Sequence, residues 1–361
     1  MPGHRTLRSR TFTASRRRFL QGSVAVATVL PAASRMSFAQ TNQVNVYNWD
    51  TYIGENTVAN FTKATGTDVR YDLFASNDEL FAKLREGNPG YDVIFPSNDF
   101  VERLVAADRL IELDHSQLPN MSNLNPAFTD PEFDPGRKYS IPYFWGTIGI
   151  GYRKSATEGM TPTSWADMFA SDQYAGRMSL LNDSDVIEVA LKYLGLSLNS
   201  SDPAEIDAAA EALIKAKPNI KAFAPDTGQD LLIAGEVDVC MEWNGDILQV
   251  MDEDDDLAYV VPSEGSILWE DTMCIPKDGP NPEGAHAFVN YILEAEVHGE
   301  IASEIKYPCP NEAAMAFIPE EDRNNTSIYP SKETLERCEV AVFDPVKDDL
   351  KEKALTRVLA A

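Results

Sequence analysis

The stretch VNVYNWDTYIGENTVANFTKATGTDVRYDLFASNDELFAKLREGNPGYDVIFP, residues 44–96, decides the fold. Val44-Asn45-Val46-Tyr47 alternates apolar and polar residues as an opening strand does. Val58 to Thr65 then repeats apolar residues at helical spacing until Gly66 stops it. Val69, Tyr71 and Leu73 alternate as a second strand, Asp78 to Arg85 predicts a second helix ended by Gly87, and Tyr91 to Phe95 is a short apolar strand closed by Pro96. A β-α-β-α-β order of this kind predicts an α/β fold with a mainly parallel sheet and covering helices.

Downstream, the alternation resumes after the turn-rich stretch from Asn120 to Lys138. Ser164 is a helix N-cap with Asp167 three residues on, Met178 to Leu181 is a strand, and Asp185 to Leu194 is helical. Asp202, Pro203 and Glu205 open a helix over Ala204 to Lys215. The strand Val237 to Met241, a helix from Asp246 and the strand Tyr259 to Val261 continue the pattern, with no internal repeat. About 320 residues outside the N-terminal segment exceed what one core ordinarily holds, so two lobes are expected.

Upstream, Ser15-Arg16-Arg17-Arg18-Phe19-Leu20 precedes an apolar run, Gly22 to Leu30, and the small-x-small triplet Ser37-Phe38-Ala39. This is the pattern of a cleavable twin-arginine export signal over residues 1–39, and it predicts a periplasmic location. The apolar run is about half the length that spans a bilayer, and no later segment is long enough, so no direct insertion into the membrane is expected. Residues 1–40 hold seven arginines and no acid; beyond them 24 basic residues face 57 acidic ones, a net charge of −33. Such a field repels nucleic acid and anionic lipid and concentrates cations.

Four cysteines, Cys240, Cys274, Cys309 and Cys338, admit two disulfides in any of three pairings in an oxidising compartment. Their spacings of 34, 35 and 29 fit no zinc motif, and no metal or cofactor is expected. The acidic run Asp252 to Asp256 lacks the spaced ligands and the glycine of a calcium loop and reads as a solvated turn.

Three tryptophans stand beside acids where predicted strands end: Trp49-Asp50-Thr51-Tyr52, Trp243-Asn244-Gly245-Asp246 and Trp269-Glu270-Asp271. In open α/β sheets, ligands collect beyond the carboxyl ends of strands. A core would use each ring but has no use for the adjoining carboxylate. The pairing suits an alkyl-ammonium, because the carboxylate accepts charge-assisted hydrogen bonds while the ring covers methylenes and attracts the cation. A four-carbon diamine places its nitrogens roughly 6 Å apart and needs an acid at each end, which segments distant in sequence can supply.

Seven collinear blocks also carry a family resemblance: YNWDTYI at 47–53, YDVIFPSNDFV at 91–101, YSIPYFWGTIGIGY at 139–152, TSWADMF at 163–169, MEWNGD at 241–246, ILWEDTMCIP at 267–276 and YPCPNEAA at 307–314. They resemble the periplasmic spermidine/putrescine-binding proteins of polyamine ABC transporters. The resemblance implies a type II periplasmic binding fold, with two α/β lobes, a hinge and a ligand cleft between them. Lobe one would comprise residues 41–146 plus 270–315, and lobe two residues 147–269 plus 316–361. It implies a monomer that captures a polyamine and presents it to a membrane permease, without catalysis.

Carried over to this chain, Trp49 and Tyr52 resemble the family's first-lobe aromatic wall. Trp243 and Trp269 resemble the rings that sandwich the alkyl chain, and Tyr307 a further aromatic contact. Asp271 looks like the principal amine-binding carboxylate, Asp246 like the aspartate of the putrescine-binding branch, and Asp185 stands where a glutamate binds an amine terminus. Ser97 would turn its hydroxyl to the ligand. The chain departs from the family at Asp50-Thr51, where the acid is shifted by one residue, at Asp99, where spermidine binders carry tyrosine, and at Asn182, which replaces an acid. If the segment is extended, the shift turns Asp50 away from the ligand.

Two rival readings remain. A hydrolase would use paired carboxylates such as Asp185 and Glu188 or Asp246 and Asp271, but no Gly-x-Ser-x-Gly or Gly-rich phosphate motif accompanies them. The same fold could bind another organic cation or an amino acid; an amino acid would need an arginine at the site, and Arg177 is the nearest in sequence.

Overall fold

The computed structural model describes residues 42–361; the twin-arginine reading of residues 1–39 lies outside them. The opening segment folds as β1 (Gln43–Trp49), α1 (Thr57–Thr65), β2 (Asp68–Phe74), α2 (Asn77–Arg85) and β3 (Val93–Ile94). The stop signals act as read: Gly66 takes a left-handed φ of 72° and returns its N–H to the Thr62 carbonyl, closing α1. Ser76 caps α2 by accepting from the Glu79 N–H.

The chain continues through α3 (Asn98–Ala106), β4 (Ser140–Arg153), α4 (Ala166–Phe169), β5 (Met178–Leu181), α5 (Asp185–Tyr193), α6 (Pro203–Ala216) and β6 (Ile220–Ala224). Next come α7 (Gly228–Ile233), β7 (Val239–Trp243), α8 (Asn244–Met251), β8 (Leu257–Val260) and β9 (Ile267–Cys274). The last elements are α9 (Pro282–Ile292), α10 (Ala295–Ile305), α11 (Glu320–Arg323), α12 (Lys332–Leu335), β10 (Glu339–Val340) and α13 (Pro345–Ala360). At the start of α4 the Ser164 hydroxyl accepts from the Ala166 N–H, while Asp167 accepts from the N–H of Ser164.

Strand order is β2-β1-β3-β9-β4-β7-β5-β6, with β10 added beside β9 and β8 beside β4. Both flanks are parallel: β1 with β2 and β3, and β5 with β6 and β7. The middle is antiparallel, because β9 opposes β3 and β4, and β4 opposes β7 and β8. The sheet is therefore mixed, which corrects the mainly parallel expectation. The correction comes from β4, which is covered on both faces and so shows no alternation to read. It gives Ser140 to Thr147 to β9 and Ile148 to Arg153 to β7 and β8, so one strand serves both halves of the sheet.

The four cysteines are free thiols, three buried and Cys338 partly so, and the disulfides the sequence allows are not formed. The acidic turn before β8 is not merely solvated, since Asp254 and Asp256 pair with Arg153 at 2.9 and 3.2 Å. Among the described residues no helix is long and apolar enough to cross a membrane.

Candidate functional site

The ends of β1 and β7 and the middle of β9 border one cleft. At the end of β1 the Trp49 indole N–H donates to the Phe95 carbonyl at 2.9 Å. Thr51 then adopts φ 49°, so the segment is not extended there. That turn sets both Asp50 and Tyr52 on the cleft wall, and the one-residue shift of the acid does not remove it from the site. Tyr52 is buried edge-on between the rings of Tyr143 and Tyr307.

Trp269 and Asp271 lie within β9, not at a strand end as expected, and face the cleft because they are two residues apart. Glu270 between them turns to the other face, where it meets Arg137, itself fully buried, at 2.7 Å. Gly146, opposite Trp269 in the β4–β9 register, leaves room for that indole; a Cβ there would stand 2.5 Å from Trp269 Cζ2. Ser97, at the start of α3, donates from its hydroxyl to Asp271 Oδ1 at 2.5 Å and accepts from Asn77 at 2.8 Å.

From the other side, β7 ends at Trp243 and α8 begins at once, which swings Asp246 into the cleft on its first turn. Gly245 must be glycine: a Cβ would stand 2.2 Å from the Tyr307 ring. The Tyr307 hydroxyl stands near enough to the Asp246 carboxylate to favour its ionised form. Trp243 and Trp269 meet edge to face at 89°, ring centres 5.8 Å apart, so they wall a corner instead of forming two parallel plates.

Asp226 also lines the cleft and was missed by the sequence reading. It sits in the turn after β6, in the run Pro225-Asp226-Thr227-Gly228, and an acid just past a strand end was the available signal. One oxygen each of Asp226, Glu242 and Asp246 lie within 4.8 Å of one another, the closest approach to a metal-ligand set among the described residues. Glu242 spends both oxygens on the N–H groups of Gly228 and Trp243.

Four carboxylates, Asp50, Asp226, Asp246 and Asp271, thus share the cleft with five aromatic rings, and among the described residues no lysine or arginine lines it. Burial pushes Asp246 and Asp271 up to about 7, partly opposed by the Tyr307 hydroxyl at Asp246 and by Ser97 and Tyr52 at Asp271. Burial, and then the charge of Asp246, drive Asp226 well above the ordinary carboxylate range. Arg177 is remote from such a role, being paired at the surface with Asp238 at 2.5 Å.

The structure does not bring Asp99 and Asp185 to the cleft wall with the others. Asp99, on the first turn of α3, and Asp185, at the start of α5, belong to a separate group with Glu188, Lys347 and Lys351. The reason was out of sight in the local sequence: α13, from the far end of the chain, supplies ammonium groups there.

Comparison with known proteins agrees with this geometry. Residues 56–323 match the profile of the bacterial extracellular solute-binding protein family. The chain is 38% identical over 295 residues to the spermidine/putrescine-binding periplasmic protein of Salmonella typhimurium, covering 81% of this chain and 84% of that one. It is 36% identical over 349 residues to the putrescine-binding periplasmic protein SpuD of Pseudomonas aeruginosa, covering 91% and 94%. The solved structure of the spermidine/putrescine ABC transporter substrate-binding protein PotD of Streptococcus pneumoniae superposes with a TM-score of 0.74 at 33% identity, covering 88% of this chain and 99% of that one. The fold is accordingly that of the type II periplasmic binding proteins, two α/β lobes with the ligand cleft between them. The chain belongs to the bacterial extracellular solute-binding protein family and, within it, to the group of the spermidine/putrescine-binding periplasmic proteins.

Proposed function

We propose that this protein captures a linear polyamine of the putrescine or spermidine type in the periplasm and presents it, as a monomer, to the permease of an ABC transporter. The observation that carries the reading is the composition of the cleft wall: four carboxylates and five aromatic rings, with no basic residue among the described ones. Such a wall leaves a charge deficit that a cationic guest must fill. The names of the relatives point to the same class of guest.

In this reading one ligand ammonium is held by Asp271, and the other by Asp246 with Asp226 and Asp50 nearby. Trp243, Trp269, Trp49, Tyr52 and Tyr307 cover the methylenes. Lobe one, residues 41–146 plus 270–315, would bring Asp271, Ser97 and Trp49; lobe two, residues 147–269 plus 316–361, would bring Trp243, Asp246 and Asp226. The change of partner along β4 between Thr147 and Ile148 supports a hinge at that boundary. A dication bridging acids of both lobes stabilises the closed form, while mutual repulsion of the same acids favours the open one when the cleft is empty. Export through the twin-arginine signal over residues 1–39 is part of the same proposal.

A thermal-shift panel on ligand-free protein tests the reading. Putrescine, spermidine, cadaverine or agmatine at a hundred times Kd should stabilise by about 2.7 kcal/mol, and neutral sugars or amino acids should not. A shift with an anionic or neutral metabolite and none with any amine would remove the polyamine assignment.

A further inference from the structure

Beside the cleft lies a second group of charges that the capture mechanism does not use. Lys347 and Lys351 stand one turn apart on α13 and are 2% and 1% exposed. Lysine is almost never buried to that degree without a partner. Lys351 bonds Glu188 Oε1 on α5. Lys347 donates to Asn199 Oδ1 at 3.1 Å and to the Val342 carbonyl. Around them are more carboxylates than two ammonium groups can balance: Asp99 lies in the field of Glu188, Asp348 and Lys347, and Asp185 in that of Asp183, Glu188, Asp99 and Lys351. Glu188, itself 5% exposed, keeps its second oxygen, Oε2, without a hydrogen-bond partner.

This acidic shelf adjoins the cleft. Ser97, on the cleft wall, precedes Asp99 by two residues at the start of α3. Asp226, also on the wall, feels the charge of Asp183, which in turn feels that of Glu188. A ligand with two ammonium groups is satisfied inside the cleft by Asp271 and by Asp246 with Asp226. A longer ligand carries a third ammonium that must reach beyond these acids, and the Asp99, Asp185 and Glu188 group beside Ser97 already faces cations of the same chain. A tethered group competes at a high effective concentration that a free ligand cannot match.

We propose that Lys351 and Lys347 are built-in ammonium groups that hold the Asp99, Asp185 and Glu188 shelf against a third ligand ammonium, so that the protein selects short diamines over longer triamines. The proposal rests on the polyamine reading of the cleft. Removing a tethered cation should open the shelf to a ligand cation, while a conservative exchange of one cation for another should not.

Isothermal titration with putrescine and spermidine on the full chain and three variants tests this. The unaltered protein should bind putrescine at least about tenfold more tightly than spermidine. Lys351→Gln should tighten spermidine binding about tenfold and leave putrescine within about threefold; Lys351→Arg should keep the original preference. If Lys351→Gln does not fold, Lys347→Met carries the same expectation, since Lys347 bonds an amide and a carbonyl. Equal affinity for both amines in the unaltered protein, or an unchanged ratio in the charge-removing variants, would overturn the proposal. An unaltered protein that binds neither amine would take down the polyamine reading and the proposal with it, whereas putrescine binding without discrimination would take down only the proposal.

Discussion

Asp271 is a buried carboxylate that accepts from the Ser97 hydroxyl but meets no full positive charge among the described residues of the cleft wall. A ligand ammonium supplies that charge, and Asp271→Asn should weaken putrescine binding by about 2 to 5 kcal/mol in calorimetry, with circular dichroism unchanged. Unchanged affinity would take Asp271 out of the site. The same burial makes binding proton-linked. Asp246 and Asp271 are raised from 3.8 to about 7 in the fold, so between these values the native state holds more protons than the unfolded one. Stability of the empty protein should therefore fall as pH rises from about 4 to about 7 and level off above. A cation favours the ionised acids, so affinity should do the reverse, dropping below about pH 7, and titration at pH 6.5 in buffers of different ionisation enthalpy should report proton release. No release would mean that the carboxylates are already ionised when empty. Nine of the eleven residues picked from the sequence line the cleft, because an aromatic ring beside an acid is a local signal. Asp226 offered only a lone acid in a turn, and Asp99 and Asp185 looked like ligand groups because their cationic neighbours arrive on α13.

Elements announced by their own ends were legible. The first two helices stop where Gly66 and Gly87 signal, because glycines at positive φ act locally, whereas the Ser76 cap of α2 was not read. Ser76→Ala should cost about 1 kcal/mol of stability in chemical denaturation by freeing the Glu79 N–H, with no change in ligand affinity. A loss below a few tenths of a kcal/mol would show that water replaces the cap without penalty. β4 and β9 were not legible as the centre of the sheet. Ile148 and Ile150 of β4 are buried together with Gly149 and Gly151, so no polar face marks the strand, and its antiparallel partners come from residues about a hundred positions away. That long-range pairing is what replaced the expected parallel middle by a mixed sheet.

At the scale of the molecule, the 57 acids and 24 basic residues beyond residue 40 surround a cleft whose own wall is negative. A cationic ligand should be steered in, so its association rate, followed by stopped-flow tryptophan fluorescence from Trp243 and Trp269, should fall by about tenfold or more between low and high salt. A rate indifferent to salt would confine the charge to solubility. The thiols bear on how the protein can be observed. Cys240, Cys274 and Cys309 are sealed in apolar surroundings that keep them protonated and unreactive, while Cys338 is partly open, one residue before β10. A maleimide dye offered to the native state therefore has one natural attachment point, beside the strand that pairs with β9.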